Sequence, residues 1–311
     1  MHRLDGERRG ASIASGNDDT SRFRAEPATL YVVATPLGNL RDVTLRALDI
    51  LATADVVAAE DTRVTAVLLR HYGIAARPLS LHEHNEARRA QGIIDALHAG
   101  RSVALVSDAG TPAVSDPGAR LVRAVRDAGF AVVPIPGANA AIAAVSAAGL
   151  AAVRFLFLGF LPASAKARRE VLATVASLPC ALVIYEAPHR VAATIGALAE
   201  ALGGERELVV ARELTKKFEA IARMPLAQAP AWLTADPNRE RGEFVLLVDA
   251  PAPSDEERDA TAPTPEADRW LRALVAELPP SRAARVVAAM TGQSRNLLYA
   301  RALAMKPGAV E

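Results

Sequence analysis

The 311-residue chain carries a single cysteine, Cys180. One thiol builds neither an intrachain disulfide nor a cysteine-based zinc site, and it fits a reducing compartment, so the expected location is cytoplasmic. Long apolar runs are also missing. Although 51% of the residues are hydrophobic, none of the runs approaches the ~18 residues that would cross a bilayer. The amino terminus has charges but no apolar core of a secretory signal. Neither sign of charge dominates: the net charge is +1. No global field draws the chain to nucleic acid, so a DNA partner is not expected and any basic site is local. Aromatics make up 4% of the chain, which leaves few platforms for base stacking. Lysine occurs only at Lys166, Lys216, Lys217 and Lys306, the other basic residues being arginine. Neither the G-x-G-x-x-G dinucleotide fingerprint nor a Walker G-K-[ST] is present, and no repeat of solenoid period is visible.

What is there is organised around residues 102–122, SVALVSDAGTPAVSDPGARLV. The apolar run 103–106 is too short for a helix and reads as a strand buried on both faces. A loop of small residues follows, and after Gly118 the apolar spacing becomes helical. In parallel α/β sheets ligands sit at the carboxyl ends of strands, and Gly110 would let one approach the backbone. Asp108 and Asp116 offer carboxylates there. The plainer alternative is a strand-to-helix loop with Asp116 as the helix N-cap.

The remaining chain repeats this pattern. Strands at 30–34, 56–59, 78–81 and 131–135 run into Thr35-Pro36-Leu37-Gly38-Asn39, Glu60-Asp61-Thr62-Arg63, His82-Glu83-His84-Asn85 and Pro136-Gly137-Ala138-Asn139. Five polar clusters at five strand ends predict a parallel sheet, covered by helices on both faces, with a site along one rim. The pattern restarts at 155–160, 181–185 and 208–211, and 219–223 with 242–248 read as closing antiparallel strands. The expected organisation is a disordered leader at 1–27, an N-terminal α/β domain at 28–150, a C-terminal α/β domain of mixed sheet at 151–250, a linker at 251–266 and a helical tail at 267–311. In the tail, Ser281 and Ser294 are candidate helix caps around a Thr291-Gly292 turn. The shape is helix-turn-helix-like, or simply a small helical appendage with a solvated basic face.

The segments YVVATPLGNLRDVTLRAL, AAEDTR, LHEHNE, SVALVSDAGTPAVSDPG, IPGANA, FLGFLP, YEAPHR, ARELTKKFE and GEFVLLV occur in order from Tyr31 to Val248. Together they resemble the ribosomal-RNA branch of the tetrapyrrole methylase superfamily. Relatives that methylate tetrapyrroles carry a G-x-G-P-G-D first loop; residues 35–39 here lack that aspartate, which favours the RNA branch. The resemblance implies a two-lobed fold, S-adenosylmethionine as methyl donor, a homodimer, and 2′-O-methylation of a cytidine in the decoding centre of 16S ribosomal RNA within the small subunit. It also implies cofactor contacts from Pro36, Ser107, Asp108, Ala109, Val114, Asn139, Ala140, Glu186 and Leu214. Two readings compete: a methyltransferase for a tetrapyrrole or another small molecule, and a cofactor-binding regulator without turnover.

Transfer of a methyl group to a ribose hydroxyl calls for alignment and for a proton acceptor or a nearby cation. Lys216 and Lys217 are candidates because lysine, unlike arginine, loses its proton when buried. Glu186, Glu213 and His189 are the others. A solvated lysine pair holding phosphate, and a His189 ring donating to backbone, are the plainer readings. His82, Glu83 and His84 have a spacing that would put two imidazoles on one face, but nothing else in the sequence calls for a metal, and RNA or dimer contact is the expected role. Lys166, Arg168, Arg169, Arg190, Arg212, Lys216 and Lys217 are candidate phosphate contacts, with Tyr185, Phe160 and Phe218 as candidate stacking platforms.

Overall fold

The computed structural model describes residues 23–82, 85–251 and 262–305. They fall into two compact units, one reaching Asp249 apart from a four-residue turn at 177–180, the other holding the carboxy-terminal helices. The larger unit has two lobes. The first alternates β1 (Thr29–Val33), α1 (Leu45–Thr53), β2 (Val56–Ala59), α2 (Thr62–His71), β3 (Leu79–Ser80), α3 (Glu86–His98), β4 (Val103–Val106), α4 (Ala119–Asp127) and β5 (Ala131–Ile135). All five strands are parallel, in the order β3-β2-β4-β1-β5. Strand alternation sorts side chains to two faces. Tyr31, Val33, Val57, Ala59, Ala104 and Val106 pack with Ile50, Leu51, Leu68 and Leu69 from α1 and α2. Leu30, Ala58, Val103 and Leu105 pack with Ile93, Leu97, Leu121 and Val125 from α3 and α4. Both faces are covered, which is why β4 reads as an unbroken apolar run. Pro134 is accommodated because β5 is an edge strand.

The second lobe contains α5 (Ala140–Ala148), β6 (Phe155–Phe160), α6 (Ala165–Val175), β7 (Ala181–Glu186), α7 (Val191–Leu202), β8 (Glu207–Arg212), β9 (Ala220–Pro225), α8 (Ala229–Thr234) and β10 (Phe244–Val248). Its sheet is mixed, ordered β6-β7-β10-β8-β9, with β6 parallel to β7 and the other pairs antiparallel. The apolar stripe of α5, Ala141, Ala144 and Ala148, lies on this sheet against Val183, Val209, Ala211, Val245 and Leu247. The helix that the sequence pattern attaches to the first lobe is therefore packed on the second. At the other end, order begins before Pro27: the Phe23, Ala25 and Glu26 N–H groups donate to Asp49, Thr53 and Tyr31. Residues 1–22 of the expected leader lie outside the described residues, as do 252–261 of the expected linker.

Among its described residues the smaller unit is three helices, α9 (Pro265–Glu277), α10 (Pro280–Thr291) and α11 (Arg295–Ala304), around Ala267, Leu271, Ala283, Ala284, Val287, Leu298 and Ala302. Asp268 ties α9 to α11, accepting from Arg301 as well as from Arg272, and these guanidinium hydrogen bonds hold its carboxyl down at about 2. Ser294 caps α11. Ser281 caps nothing: α10 starts one residue earlier, with Pro280 in its first turn, where a missing N–H costs no hydrogen bond.

Candidate active site

The carboxyl ends of β4, β5, β6, β7 and β8 open into one cleft of about 500 Å³. That volume is within the usual range for a small-molecule or cofactor site. Its floor is knitted by backbone. Thr35 and Gly110 exchange two N–H···O=C bonds of 2.8 and 2.9 Å, joining the loops after β1 and β4, and the Thr35 hydroxyl donates to the Ser107 carbonyl at 3.0 Å. The Thr111 hydroxyl donates to the Ala138 carbonyl at 3.1 Å, tying in the loop after β5. Asn139 caps α5 by accepting from the Ile142 N–H. Across the cleft, the Tyr185 hydroxyl of β7 accepts from the Ala141 N–H at 3.0 Å.

Of the residues expected to contact a cofactor, Ala109, Val114, Asn139, Ala140, Glu186 and Leu214 line the cleft. Pro36, Ser107 and Asp108 are absent from its lining. Ser107 is buried beneath it, and Asp108 accepts from the Asp61 N–H at 2.9 Å while its own N–H donates to Glu60 at 3.3 Å. Ser107 thus lies under the loop, and Asp108, exposed, joins the ends of β2 and β4.

The catalytic candidates separate as clearly. His189 lines the cleft. Glu186 does too, but its side chain has no solvent exposure. It accepts from the Thr194 hydroxyl at 2.5 Å and the Ala187 N–H at 2.9 Å, and it lies 3.2 Å from Arg190 Nε. Lys216 and Lys217 line a separate concavity with Arg41, His71 and Tyr72. Lys216 donates to Glu213 at 3.0 Å and to Glu243 at 2.9 Å. Burial pulls its pKa down, yet the hydrogen bonds and charges of Glu243 and Glu213 outweigh burial and raise it. These partners favour the charged ammonium of Lys216 over a neutral amine. Glu213 is engaged in return: burial pushes it up, but the Glu243 N–H and Lys216 bring it below its ordinary value. Lys217 lies 5.5 Å over the Phe218 ring.

Several arginines read as phosphate contacts are structural. Arg168 is buried. Arg190 donates to the Leu161 carbonyl and faces Glu186. Arg212 donates to the carbonyls of Asn238, Arg241 and Phe218. Lys166 is exposed, 4.0 Å from Glu170. Glu83 and His84 lie outside the described residues; among those described, no group of three His, Cys, Asp or Glu side chains is placed to hold a metal ion.

Two readings of Asp116 were open in the sequence, a carboxylate at the ligand site and a helix cap, and the structure separates them. Asp116 is not the cap of α4; Gly118 is, at φ 126°. The Ala113 N–H donates to the Pro117 carbonyl at 3.2 Å, closing a turn that leaves Asp116 in the cleft lining. Burial, followed by the negative charges of Glu60 and Asp108, pushes its carboxyl up to about 7 against an opposing hydrogen bond from Ser107. Three carboxylates, Asp116, Glu186 and Glu243, line the cleft, and neither lysine nor arginine does. That donor set fits a ligand carrying positive charge.

Two lobes with a cleft along their strand ends define a class, and residues 29–230 match its family model, Tetrapyrrole (Corrin/Porphyrin) Methylases. Residues 261–306 match the RsmI C-terminal HTH domain. Solved structures of similar fold include a cobalt precorrin-4 methyltransferase (18% identity, TM-score 0.55, covering 71% of this chain and 95% of that one). Another is a uroporphyrin-III C-methyltransferase from Thermus thermophilus complexed with S-adenosyl homocysteine (18%, 0.51, 71% and 97%). Sequence relatives are much nearer. Ribosomal RNA small subunit methyltransferase I of Mesorhizobium japonicum is 50% identical over 282 residues, 90% of this chain and 93% of its own length. Its counterpart in Vibrio cholerae is 48% identical over 270 residues, 87% and 92%. This chain belongs to the ribosomal RNA small subunit methyltransferase I family, within the tetrapyrrole methylases.

Proposed function

We propose that the protein transfers the methyl group of S-adenosylmethionine to the ribose 2′-hydroxyl of a cytidine in the decoding centre of 16S ribosomal RNA, working in the cytoplasm as a homodimer on the small subunit. The observation that carries the chemistry is the lining of the cleft: neither lysine nor arginine lines it, and Asp116 is the lining carboxylate that no ion pair offsets among the described residues. S-adenosylmethionine supplies, when bound, an electrophilic methyl on a positively charged sulfur. The loop from Ala109 to Thr111, Asn139 with Ala140, and the apolar walls given by Val114, Leu214 and Phe244 would hold it. These groups act by positioning, which supplies roughly 7–11 kcal/mol of barrier reduction when reacting atoms are aligned. Tyr185 fixes the α5 end of the cleft through the Ala141 N–H. The Lys216–Glu213–Glu243 cluster joins the loop after β8 to the start of β10.

The RNA side of the reading rests on the relatives and on the second concavity, where Arg41, His71, Lys216 and Lys217 gather. Such a grouping suits phosphodiesters. The helical tail, whose sequence matches a helix-turn-helix domain, would add contacts outside the cleft.

The test offers methyl-labelled S-adenosylmethionine to unmodified small ribosomal subunits and, separately, to a porphyrinogen, with nuclease digestion and mass spectrometry of the RNA. The expected result is label in 2′-O-methylcytidine. Label in the porphyrinogen, or cofactor binding without any product, would overturn the reading. Light scattering of the purified protein tests the dimer.

A further inference from the structure

Methylation of a hydroxyl releases one proton, and a positioned acceptor speeds such a step. The sequence candidates for that acceptor are mostly engaged. Lys216 holds its proton between two glutamates, Glu213 is bound by Lys216 and by the Glu243 N–H, and Glu243 itself receives Lys216. Glu186 is committed to Thr194, Ala187 and Arg190. Asp116 differs from the other two carboxylates of the cleft in having no ion-pair partner among the described residues.

Its loop is built to keep it there. Ala113 and Ser115, neither of them glycine, adopt positive φ of 67° and 63°. Such conformations cost of order 1–3 kcal/mol each and persist only where surroundings impose them. The loop packs close to β6, where a glycine leaves it room. Gly159 bulges there at φ 63°, and a side chain on it would meet Ser115 Oγ at 2.7 Å.

We propose that Asp116 accepts the proton of the substrate hydroxyl. This rests on the 2′-O-transfer reading above. As a lone pair of the hydroxyl oxygen forms the new C–O bond to the methyl carbon, the C–S bond breaks and its electron pair stays on sulfur, which becomes a neutral thioether. The O–H proton passes to a carboxylate oxygen of Asp116 and leaves to solvent after product release. No oxidant or further reactant is needed.

The surroundings suit that task. Glu60 faces Asp116 from the end of β2, Asp108 and Ser107 from the end of β4, and Tyr185 from β7. Glu186, His189 and Glu243 complete the titratable lining. With its carboxyl at about 7, Asp116 is near half-ionised at neutral pH, where an acceptor both takes and releases a proton readily. A cation bound in the cleft favours the ionised form, so cofactor binding should expel part of a proton.

The experiment compares wild type, Asp116→Asn, Glu60→Gln and His189→Gln. Single-turnover methylation at saturating cofactor is measured against pH. Calorimetry of S-adenosylmethionine binding near pH 7, in buffers of different ionisation enthalpy, counts the protons released. For wild type, binding should release a fraction of a proton, and at saturating cofactor the rate should rise with pH through a midpoint below the free protein's value of about 7. Asp116→Asn should lose about 10²- to 10⁴-fold in rate and should lose the proton release. Glu60→Gln removes one of the charges that raise Asp116, so its acid limb should move to lower pH; this readout stands even if Asp116→Asn misfolds. The assignment is overturned if Asp116→Asn keeps the wild-type rate, if its defect vanishes at saturating cofactor, or if the acid limb disappears in His189→Gln and stays put in Glu60→Gln. Wild type that yields no ribose methylation overturns the underlying reading instead.

Discussion

Lys216 fills the space that a side chain at Gly38 would need: a methyl group on Gly38 would stand 2.3 Å from Lys216 Cγ and 2.9 Å from Cε. The loop after β1 and the loop after β8 therefore meet through the stem of one lysine, whose ammonium is fixed by Glu213 and Glu243. The Asn39 N–H donates to the Thr215 hydroxyl at 3.2 Å beside it.

Gly38→Ala should accordingly destabilise the protein by about 1–3 kcal/mol, the usual range for overpacking. In a Lys216→Ala background the same substitution should cost far less, because the colliding stem is gone. Urea unfolding of the four proteins in this double-mutant cycle measures the difference. Equal costs in both backgrounds would separate the two residues.

Thr194→Val keeps the shape of the side chain and removes the hydroxyl that donates to Glu186. Both residues are buried, Thr194 completely. Loss of a hydrogen bond to a buried carboxylate should cost about 1.5–3 kcal/mol, read as a lower urea midpoint at unchanged slope. A smaller loss would mean that Arg190 and the Ala187 N–H satisfy Glu186 by themselves.

The stability of the cofactor-free protein should fall as pH rises from about 4 to about 7. Asp116 has a folded pKa of about 7 against an ordinary 3.8, so across this window the folded state binds more protons than the unfolded one. Its stabilising contribution is complete below 3.8 and is lost as pH climbs through 7. Glu60, raised chiefly by burial, acts with the same sign. Asp61 and Asp268, both held at about 2 by arginine, act with the opposite sign: their contribution is full above about pH 4 and is lost as pH falls toward 2. Melting temperatures measured every half unit should show the decline in wild type and a shallower one in Asp116→Asn.

Removing the residues after Ala250 should leave S-adenosylmethionine affinity unchanged, since the cleft is lined wholly by residues 37–245. Binding to small subunits should weaken, and its salt dependence should flatten by about 0.7 in log-log slope for each phosphate that the tail engages. Equal slopes for the full and shortened proteins would make the three helices a structural appendage.

The sequence made the first lobe legible because buried parallel strands are unbroken apolar runs with polar ends, as at Val103–Val106 followed by Ser107 and Asp108. It made the rim of the cleft legible for the same reason. Asp116 stayed ambiguous between a site carboxylate and a helix cap because Asp-Pro-Gly before an apolar run has the form of a helix start. Only in three dimensions does the Ala113–Pro117 turn pass the cap to Gly118 and free the carboxylate. Arg190 and Arg212 read as phosphate contacts because a guanidinium that ties down carbonyls is spelled like one that meets phosphate. The partners of Lys216 escaped: Glu243 lies 27 positions away, and no local pattern links them.

In the second sheet the last strand along the chain, β10, occupies the middle place, between β7 and β8. The first sheet has all its strands once Ile135 has been made. The second remains two separate pieces, β6 with β7 and β8 with β9, until Phe244–Val248 arrives to join them. During synthesis, then, a chain stopped short of Val248 would have a finished first lobe and half a cleft, with β7 and β8 each offering a bare edge. The cleft is therefore completed only when nearly the whole of the larger unit has been made.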